Sequence, residues 1–511
     1  MDEATFLNRL GFLNNPFQYT NADEEELLQN YFVPPPYFQS VWGNPQTPGS
    51  CIVFAPRGAG KSAQRKIIEV RSLSQPVLAI QYSRFEFPNA GDFQQVNLQY
   101  HLKNIIQLAL IGFLLRCYET GAQQVHFDKT DRHQLSELCK FYLSGLQPEQ
   151  VQQAVSAIKT RFDKAVDFLR QNLWAVNALV NAFLQKAGGG TTNIPPSPIG
   201  TTIQQVSRTH LDVLVRIITK MGFQSVYILI DKVDETQYTS TDAQASYSLI
   251  QPLLRDLETL QISGVGFKFF LWDAIKPHYI KFARPDRIPQ FDLNWRSDEL
   301  KHMMKIRLKA FATHEPAPTF ADLLSDEMGA EEKAAVESLT LAFAHGSPRD
   351  MIRLCRQMLQ EQLRLGEDAS KISRQAVKNA FNVFCNERAA EIVPDRMLEE
   401  IKKNRRLNFT TSYVASNTFK IDTNSARSKI KNWVNTGVVR RIEDVPTKGG
   451  KPNHQFAIVD ARVAKSIFPE MSFVDFLRSK VAHCKCAAYV FRDWDLNKEH
   501  ICHNCKKPPL A

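Results

Sequence analysis

Cys51-Ile52-Val53-Phe54-Ala55-Pro56-Arg57-Gly58-Ala59-Gly60-Lys61-Ser62-Ala63 is the stretch on which the reading of this chain turns. The apolar run at its start predicts a buried strand, and the residues after that run have the composition of a phosphate-binding loop that opens a helix. Glycines let backbone N–H groups curl around phosphate oxygens, a lysine reaches the terminal phosphates, and a hydroxyl suits Mg²⁺. Pro56, Arg57, Gly58, Ala59, Gly60, Lys61, Ser62 and Ala63 are therefore the expected nucleotide cradle, with Lys61 also catalytic and Ser62 a Mg²⁺ ligand. Ala55 stands where a first glycine is expected, and alanine tolerates positive φ less well.

Outward from this loop, Pro76-Val77-Leu78-Ala79-Ile80-Gln81-Tyr82 reads as the next strand. Val226-Tyr227-Ile228-Leu229-Ile230 reads as a fully buried parallel strand that delivers Asp231 at its carboxyl end. That is where a Mg²⁺ carboxylate belongs, and Asp234 or Glu235, one short turn later, can polarise the attacking water, with Glu235 the preferred of the two. The alternative reading is a buried strand followed by an acidic turn. Lys268-Phe269-Phe270-Leu271-Trp272-Asp273 reads as a further sheet strand. Residues 95–215 are long and helical in pattern, with a Gly188-Gly189-Gly190 loop, and form an insertion between the loop and the acidic strand.

Length and composition set the frame. A 511-residue chain, 43% apolar and 23% charged, divides into several soluble globular domains. The run Leu108 to Leu115 is ended by Arg116 well short of a membrane span, and the acidic start Met1-Asp2-Glu3 is unlike a secretory signal, so a cytoplasmic protein without a membrane partner is expected. The net charge of +10 is uneven: residues 391–511 hold 22 Lys+Arg against 13 Asp+Glu. Such a tail suits a nucleic-acid partner or simply a solvated surface. Cys51, Cys117, Cys139, Cys355 and Cys385 are scattered among apolar neighbours and read as buried thiols.

The pattern Asp231-x-x-Asp234-Glu235 resembles the STAND class of signalling ATPases, in which a non-acidic residue follows the Mg²⁺ aspartate. Most AAA+ proteins carry glutamate at the place of Lys232, a departure that implies slow hydrolysis. His345-Gly346-Ser347-Pro348-Arg349 resembles both the Gly-x-Pro element of the STAND helical lid and the sensor-2 turn of origin-recognition-type AAA+ ATPases. The resemblance implies that Arg349 clamps the γ-phosphate, against a reading as a surface arginine on a loop-to-helix turn, and that Asp273 lies at a sensor position. Arg284 and Arg287 read as loop-decorating arginines or, alternatively, as a finger acting on a neighbouring subunit of a homo-oligomer. Asn15-Pro16-Phe17 with Tyr31 to Phe38 is similar to an entry segment that packs beside the adenine, and reads equally as a strap on the sheet edge.

Past residue 390 the pattern changes to helix, helix, helix, strand, strand. Met397 to Ile401 and Tyr413 to Ala415 belong to the first two helices, and Asp422 caps a third that Gly437 ends. Strands Val438 to Ile442 and His454 to Val459 pair across Lys448-Gly449-Gly450-Lys451. This is a winged helix-turn-helix pattern: Ala426, Ile430 and Val434 form the apolar stripe, and Arg427, Lys431, Lys448 and Lys451 are the expected nucleic-acid contacts. The alternative is a module that only packs on the ATPase. Finally, Cys484-x-Cys486 and Cys502-x-x-Cys505 place four soft ligands in two close pairs, the spacing of a structural Zn²⁺ ribbon, against a reading as free thiols.

The expected architecture is an α/β P-loop (ASCE/AAA+-like) core over 1–290, a helical lid over 291–390, a winged helix over 391–470 and a zinc ribbon over 471–511. The expected function is a nucleotide-driven switch using ATP and Mg²⁺, coupled to DNA or to assembly of a protein effector. The resemblance places such switches in antiphage defence or mobile-element systems. The alternatives are an origin-recognition- or transposition-like DNA loader and a scaffold that binds ATP without hydrolysing it.

Overall fold

The computed structural model describes residues 2–85, 87, 93–120, 128–143, 205–240, 242–366, 369–445, 453–484, 489–491, 493, 502 and 507. The chain divides into two compact units, one spanning Val33–Asn294 and the other combining Met1–Phe32 with Trp295–Ala511.

In the first unit, five strands form one parallel sheet: β1 (Cys51–Ala55), β2 (Val77–Tyr82), β3 (Ser225–Ile230), β4 (Val265–Trp272) and β5 (Gln290–Asp292). Their order is β2-β3-β4-β1-β5. The acidic strand β3 is thus separated from the phosphate-loop strand β1 by β4, the ASCE/AAA+-like arrangement. Every residue of β1 and β3 is buried, which is why both read as unbroken apolar runs rather than alternating ones. Strand β5, only three residues long, has no comparable apolar run and is missing from the sequence reading; its backbone pairing with β1 from Ile52 to Phe54 defines it.

Helix α1 (Lys61–Ser72) comes directly after the phosphate loop. The described part of the insertion is α2 (Leu98–Thr120), α3 (Lys129–Leu143) and α4 (Arg208–Lys220). Its Gly188 to Gly190 loop lies outside the described residues. Helix α2 is long and apolar enough to cross a membrane over Leu98–Arg116. Its apolar side chains, among them Ile105, Ile106, Leu110 and Phe113, are instead buried in the core cluster that also takes in β2, β3 and β4. Two cations on the buried Asp131 of α3, Arg216 at 2.7 Å and Lys220 at 2.5 Å, tie α4 to α3.

The second unit begins with residues 1–32, which the sequence reading assigned to the ATPase core. They bury Phe6, Phe12 and Phe17, pair Phe12 with Ala312, and surround the buried Arg307. From α5 (Ser297–Phe311) its guanidinium donates to the Pro16 carbonyl and to Glu25 Oε1, and lies over the Tyr31 and Phe311 rings. The bundle continues with α6 (Ala330–Ala344), α7 (Pro348–Leu365) and α8 (Arg374–Ile392). After these come α9 (Asp395–Asn404), β6 (Asn408–Thr410), a short helical segment Thr411–Phe419 that ends as a π-turn, and α10 (Thr423–Asn435). Strands β7 (Val439–Val445) and β8 (Asn453–Ile458) complete an antiparallel sheet of order β6-β8-β7.

Candidate functional site

The loop between β1 and α1 has the backbone that a phosphate cradle requires. Gly58 and Gly60 adopt φ of +80° and +100°, and Gly60 is the left-handed residue immediately before the helix. Ala55 needs no such freedom. It is the last residue of β1, paired with Trp272 of β4 and fully buried, so alanine fits where glycine was expected. The loop is held closed from within: Lys61 Nζ donates to the carbonyls of Ala55 at 3.1 Å and Pro56 at 3.2 Å. The start of α1 at Lys61 supplies N–H groups and the positive end of a helix dipole beside that ammonium, so the place favours an anion.

Asp231 comes immediately after the last residue of β3 and is 1% exposed. Its carboxylate is already engaged: Oδ2 accepts from Arg65 Nε at 3.0 Å, and Oδ1 accepts from the Lys232 backbone N–H at 2.9 Å. Arg65 is fully buried on α1 and also pairs with Glu69 one turn on. Sequence reasoning missed Arg65; the available signal was an Arg–Glu pair at i,i+4 inside a helix that must lie against the sheet. An ionised carboxylate oxygen accepts more than one hydrogen bond, so Asp231 retains capacity for Mg²⁺ held through water, the manner in which that ion usually binds beside phosphates. The Asp231 carboxylate therefore fits such an ion, with Arg65 offsetting part of the charge.

The two acidic candidates beyond Asp231 are placed differently. Asp234 is 3% exposed and is gripped by the phosphate loop itself, through Arg57 Nε to Oδ2 at 2.8 Å. Glu235 is exposed and lines a cleft of about 720 Å³ with Ser83, Arg84, Lys232 and Tyr238, none of them from the phosphate loop. Lys232 itself turns the chain with φ of +61°. Behind the site, His101 of α2 is wholly buried between the Tyr82 hydroxyl at 2.8 Å and the Leu249 carbonyl at 2.9 Å. Since a carbonyl only accepts, Nε2 carries the proton and Nδ1 accepts from Tyr82. Burial pushes the His101 pKa down to about 4. The Tyr82 carbonyl in turn accepts from the Asp231 N–H at 3.3 Å, so α2 braces the acidic strand end.

Arg349 belongs to the second unit. It is the second residue of α7, exposed, after the left-handed pair His345 and Gly346 and the Ser347 cap. The helix start is anchored by the next residue: Asp350 accepts from Arg388 at 2.8 Å and Arg462 at 3.1 Å, and Arg462 also forks onto Asp460. Arg462 outweighs the cost of burial and holds the Asp460 pKa down to about 2. Arg284 and Arg287, in the first unit, pair with Asp286 of their own exposed loop.

On α10, Arg427 and Lys431 are exposed, while Ala426, Ile430 and Trp433 are buried. Trp433, rather than the expected Val434, completes the stripe, with its ring against Phe409 of β6 at 5.7 Å. Lys448 and Lys451 lie outside the described residues. So do Cys486 and Cys505. Cys484 and Cys502 are both buried and share one small cluster with Ala482 and Val490. Cys484 comes directly after β9 (Val481–His483), which pairs with β10 (Tyr489–Phe491) as a hairpin. Two of the four expected thiols, 18 positions apart in sequence, thus share one buried cluster. Among the described residues no group of three or more metal-binding side chains forms. Cys51, Cys139, Cys355 and Cys385 are buried; of Cys117 only the backbone is described.

Fold and site together define an α/β P-loop protein. The sequence matches no protein-family model and no curated protein. Among solved structures the chain is similar to the Aeropyrum pernix ORC2 protein in its ADPNP–ADP complexes, with 11% identity over 88% of this chain and 98% of that one, at a TM-score of 0.37. It is also similar to Drosophila ORC bound to DNA, with 11% identity over 85% of this chain and 94% of that one, at a TM-score of 0.26.

Proposed function

We propose that this protein is an ATP-binding switch with slow hydrolysis, whose nucleotide state governs a nucleic-acid-binding tail. The observation that carries the proposal is the conjunction at the sheet's carboxyl edge. A loop with two left-handed glycines and a lysine at a helix start lies across one intervening strand from a buried aspartate. Pro56 to Ala63 would cradle the phosphates, Lys61 neutralise the terminal ones, and Ser62 and Asp231 hold Mg²⁺. That ion, when bound, would polarise the γ-phosphate. Arg349 is the proposed charge clamp, supported by its exposed place at an anchored helix start. Single-turnover hydrolysis of labelled ATP by wild type and Lys61→Ala, with and without DNA, tests the reading. Loss of binding and turnover in Lys61→Ala is expected, and equal behaviour of the two proteins would overturn it.

The tail reading rests on Arg427 and Lys431, exposed on the third helix of a three-helix, three-strand module of winged-helix layout. Zn²⁺ on Cys484, Cys486, Cys502 and Cys505 is proposed to brace its end, supported by the shared burial of Cys484 and Cys502. Elemental analysis is expected to give about one Zn per chain; well under one would remove the metal from the proposal. A DNA loader is the second reading, favoured by the same two exposed cations, and it requires DNA-stimulated hydrolysis with nucleotide-dependent oligomers on the duplex.

A further inference from the structure

Three strand ends converge on Arg57. The residue lies just past β1 inside the phosphate loop, its Nε donates to the Asp234 carboxylate at 2.8 Å, and one Nη donates to the Asp234 carbonyl at 2.9 Å. Its guanidinium lies over the indole of Trp272, the last residue of β4, at 4.3 Å. The remaining N–H groups have no partner among the described residues, and the side chain is 41% exposed while Asp234 is 3% exposed. An arginine placed only to brace the acidic turn has no need to sit between Pro56 and Gly58, on the segment built to meet phosphate, nor to keep part of its fork open. Asp234 is held by this loop through both its carboxylate and its carbonyl.

We infer that Arg57 is a two-position residue that senses the terminal phosphate and thereby controls Asp234. Without a triphosphate it holds the Asp234 carboxylate in an ion pair. A γ-phosphate carries more charge than a carboxylate and matches the planar fork, so it draws the guanidinium across. Asp234 is then released to accept a hydrogen bond from water. In the reaction the water oxygen bonds to the γ-phosphorus, the bond from that phosphorus to the bridging oxygen breaks with its electron pair leaving on ADP, and the water proton departs through Asp234. A diphosphate lacks the γ-phosphate that draws Arg57 across, so the ion pair re-forms after release of phosphate. This inference rests on the ATP reading above and adds the residue that tells ATP from ADP.

The test uses the full-length chain, with equilibrium binding of a non-hydrolysable ATP analogue and of ADP, and single-turnover hydrolysis. Arg57→Ala is expected to weaken the analogue by about tenfold or more, the worth of a lost charge-assisted contact, and to leave ADP within about twofold. Asp234→Asn is expected to tighten the analogue, because the carboxylate that competes for Arg57 is gone, and to lower hydrolysis by about 100-fold or more. Trp272 emission should change with the analogue and not with ADP, and the change should vanish in Trp272→Phe. Equal weakening of both nucleotides by Arg57→Ala would overturn the inference, as would loss of hydrolysis in Glu235→Gln but not in Asp234→Asn. If Arg57→Ala does not fold, Arg57→Lys keeps the charge but not the fork; an unchanged analogue-to-ADP ratio in it overturns the inference equally. Absence of any nucleotide binding by wild type would instead refute the ATP reading itself.

Discussion

At the scale of the residue, the site is governed by positions where one atom decides the conformation. Gly60, at φ +100° and ψ 25°, sits where an L side chain is strained, although a Cβ there would meet nothing nearer than Ala63 Cβ at 3.9 Å. Gly60→Ala is therefore expected to cost about 1–3 kcal/mol from backbone strain alone, read as a drop in unfolding free energy in denaturant. His101 predicts a pH dependence. Its pKa falls from an ordinary 6.5 to about 4 in the folded chain, so between those values the unfolded chain binds the extra proton. Stability is then complete above pH 6.5 and declines as pH falls toward 4, by roughly 3 kcal/mol in total. Chemical unfolding across that range should show the decline in wild type and a flatter profile in His101→Gln.

At the scale of the element, helix α1 does more than present Lys61. Through Arg65 it carries the counter-charge of the acidic strand, so phosphate loop and Asp231 are joined by a buried ion triad with Glu69. Removing the arginine strands two buried carboxylates, and Arg65→Ala is expected to destabilise the chain by about 3–5 kcal/mol. Adding Glu69→Ala should return part of that loss, and the double-mutant cycle should give a coupling of about 0.5–3 kcal/mol. Additivity would show that the two side chains act independently. Helix α2 illustrates the opposite case of legibility: its apolar run was plain in the sequence, but only the packing of Ile105, Ile106 and Leu110 against the sheet shows what the run is for.

At the scale of the whole molecule, charge and chain path separate two tasks. The nearly neutral first 390 residues contain the phosphate loop, and the last 121 hold a surplus of nine positive charges. DNA binding by the full chain should weaken with salt. Arg427→Ala and Lys431→Ala should each reduce the slope of log affinity against log salt by about 1 if the residue meets a phosphate. A slope unchanged in both variants would remove α10 from the interface. The division into units also takes a path that local patterns do not report. Residues 1–32 join the C-terminal unit, where they bury Phe6, Phe12 and Phe17 and give Arg307, some 290 positions away, the Pro16 carbonyl and Glu25 as partners.

The amino-acid sequence alone determined the phosphate loop, the acidic strand end, the buried parallel strands and the three-helix, two-strand pattern of the tail, because each depends on neighbours within a few residues. Glycines before a lysine, an apolar run before an aspartate and a capped amphipathic helix are local facts. Tertiary structure decided that Asp234 pairs with Arg57 of the loop, what pairs with Asp231, where residues 1–32 belong and that β5 exists. Each of these joins groups far apart in the chain, where burial and charge pairing select partners that no local spacing specifies. The loop from Ala55 to Ser62 contained both kinds of information: its glycines announced a phosphate, and its Arg57 disclosed a role only beside Asp234 and Trp272.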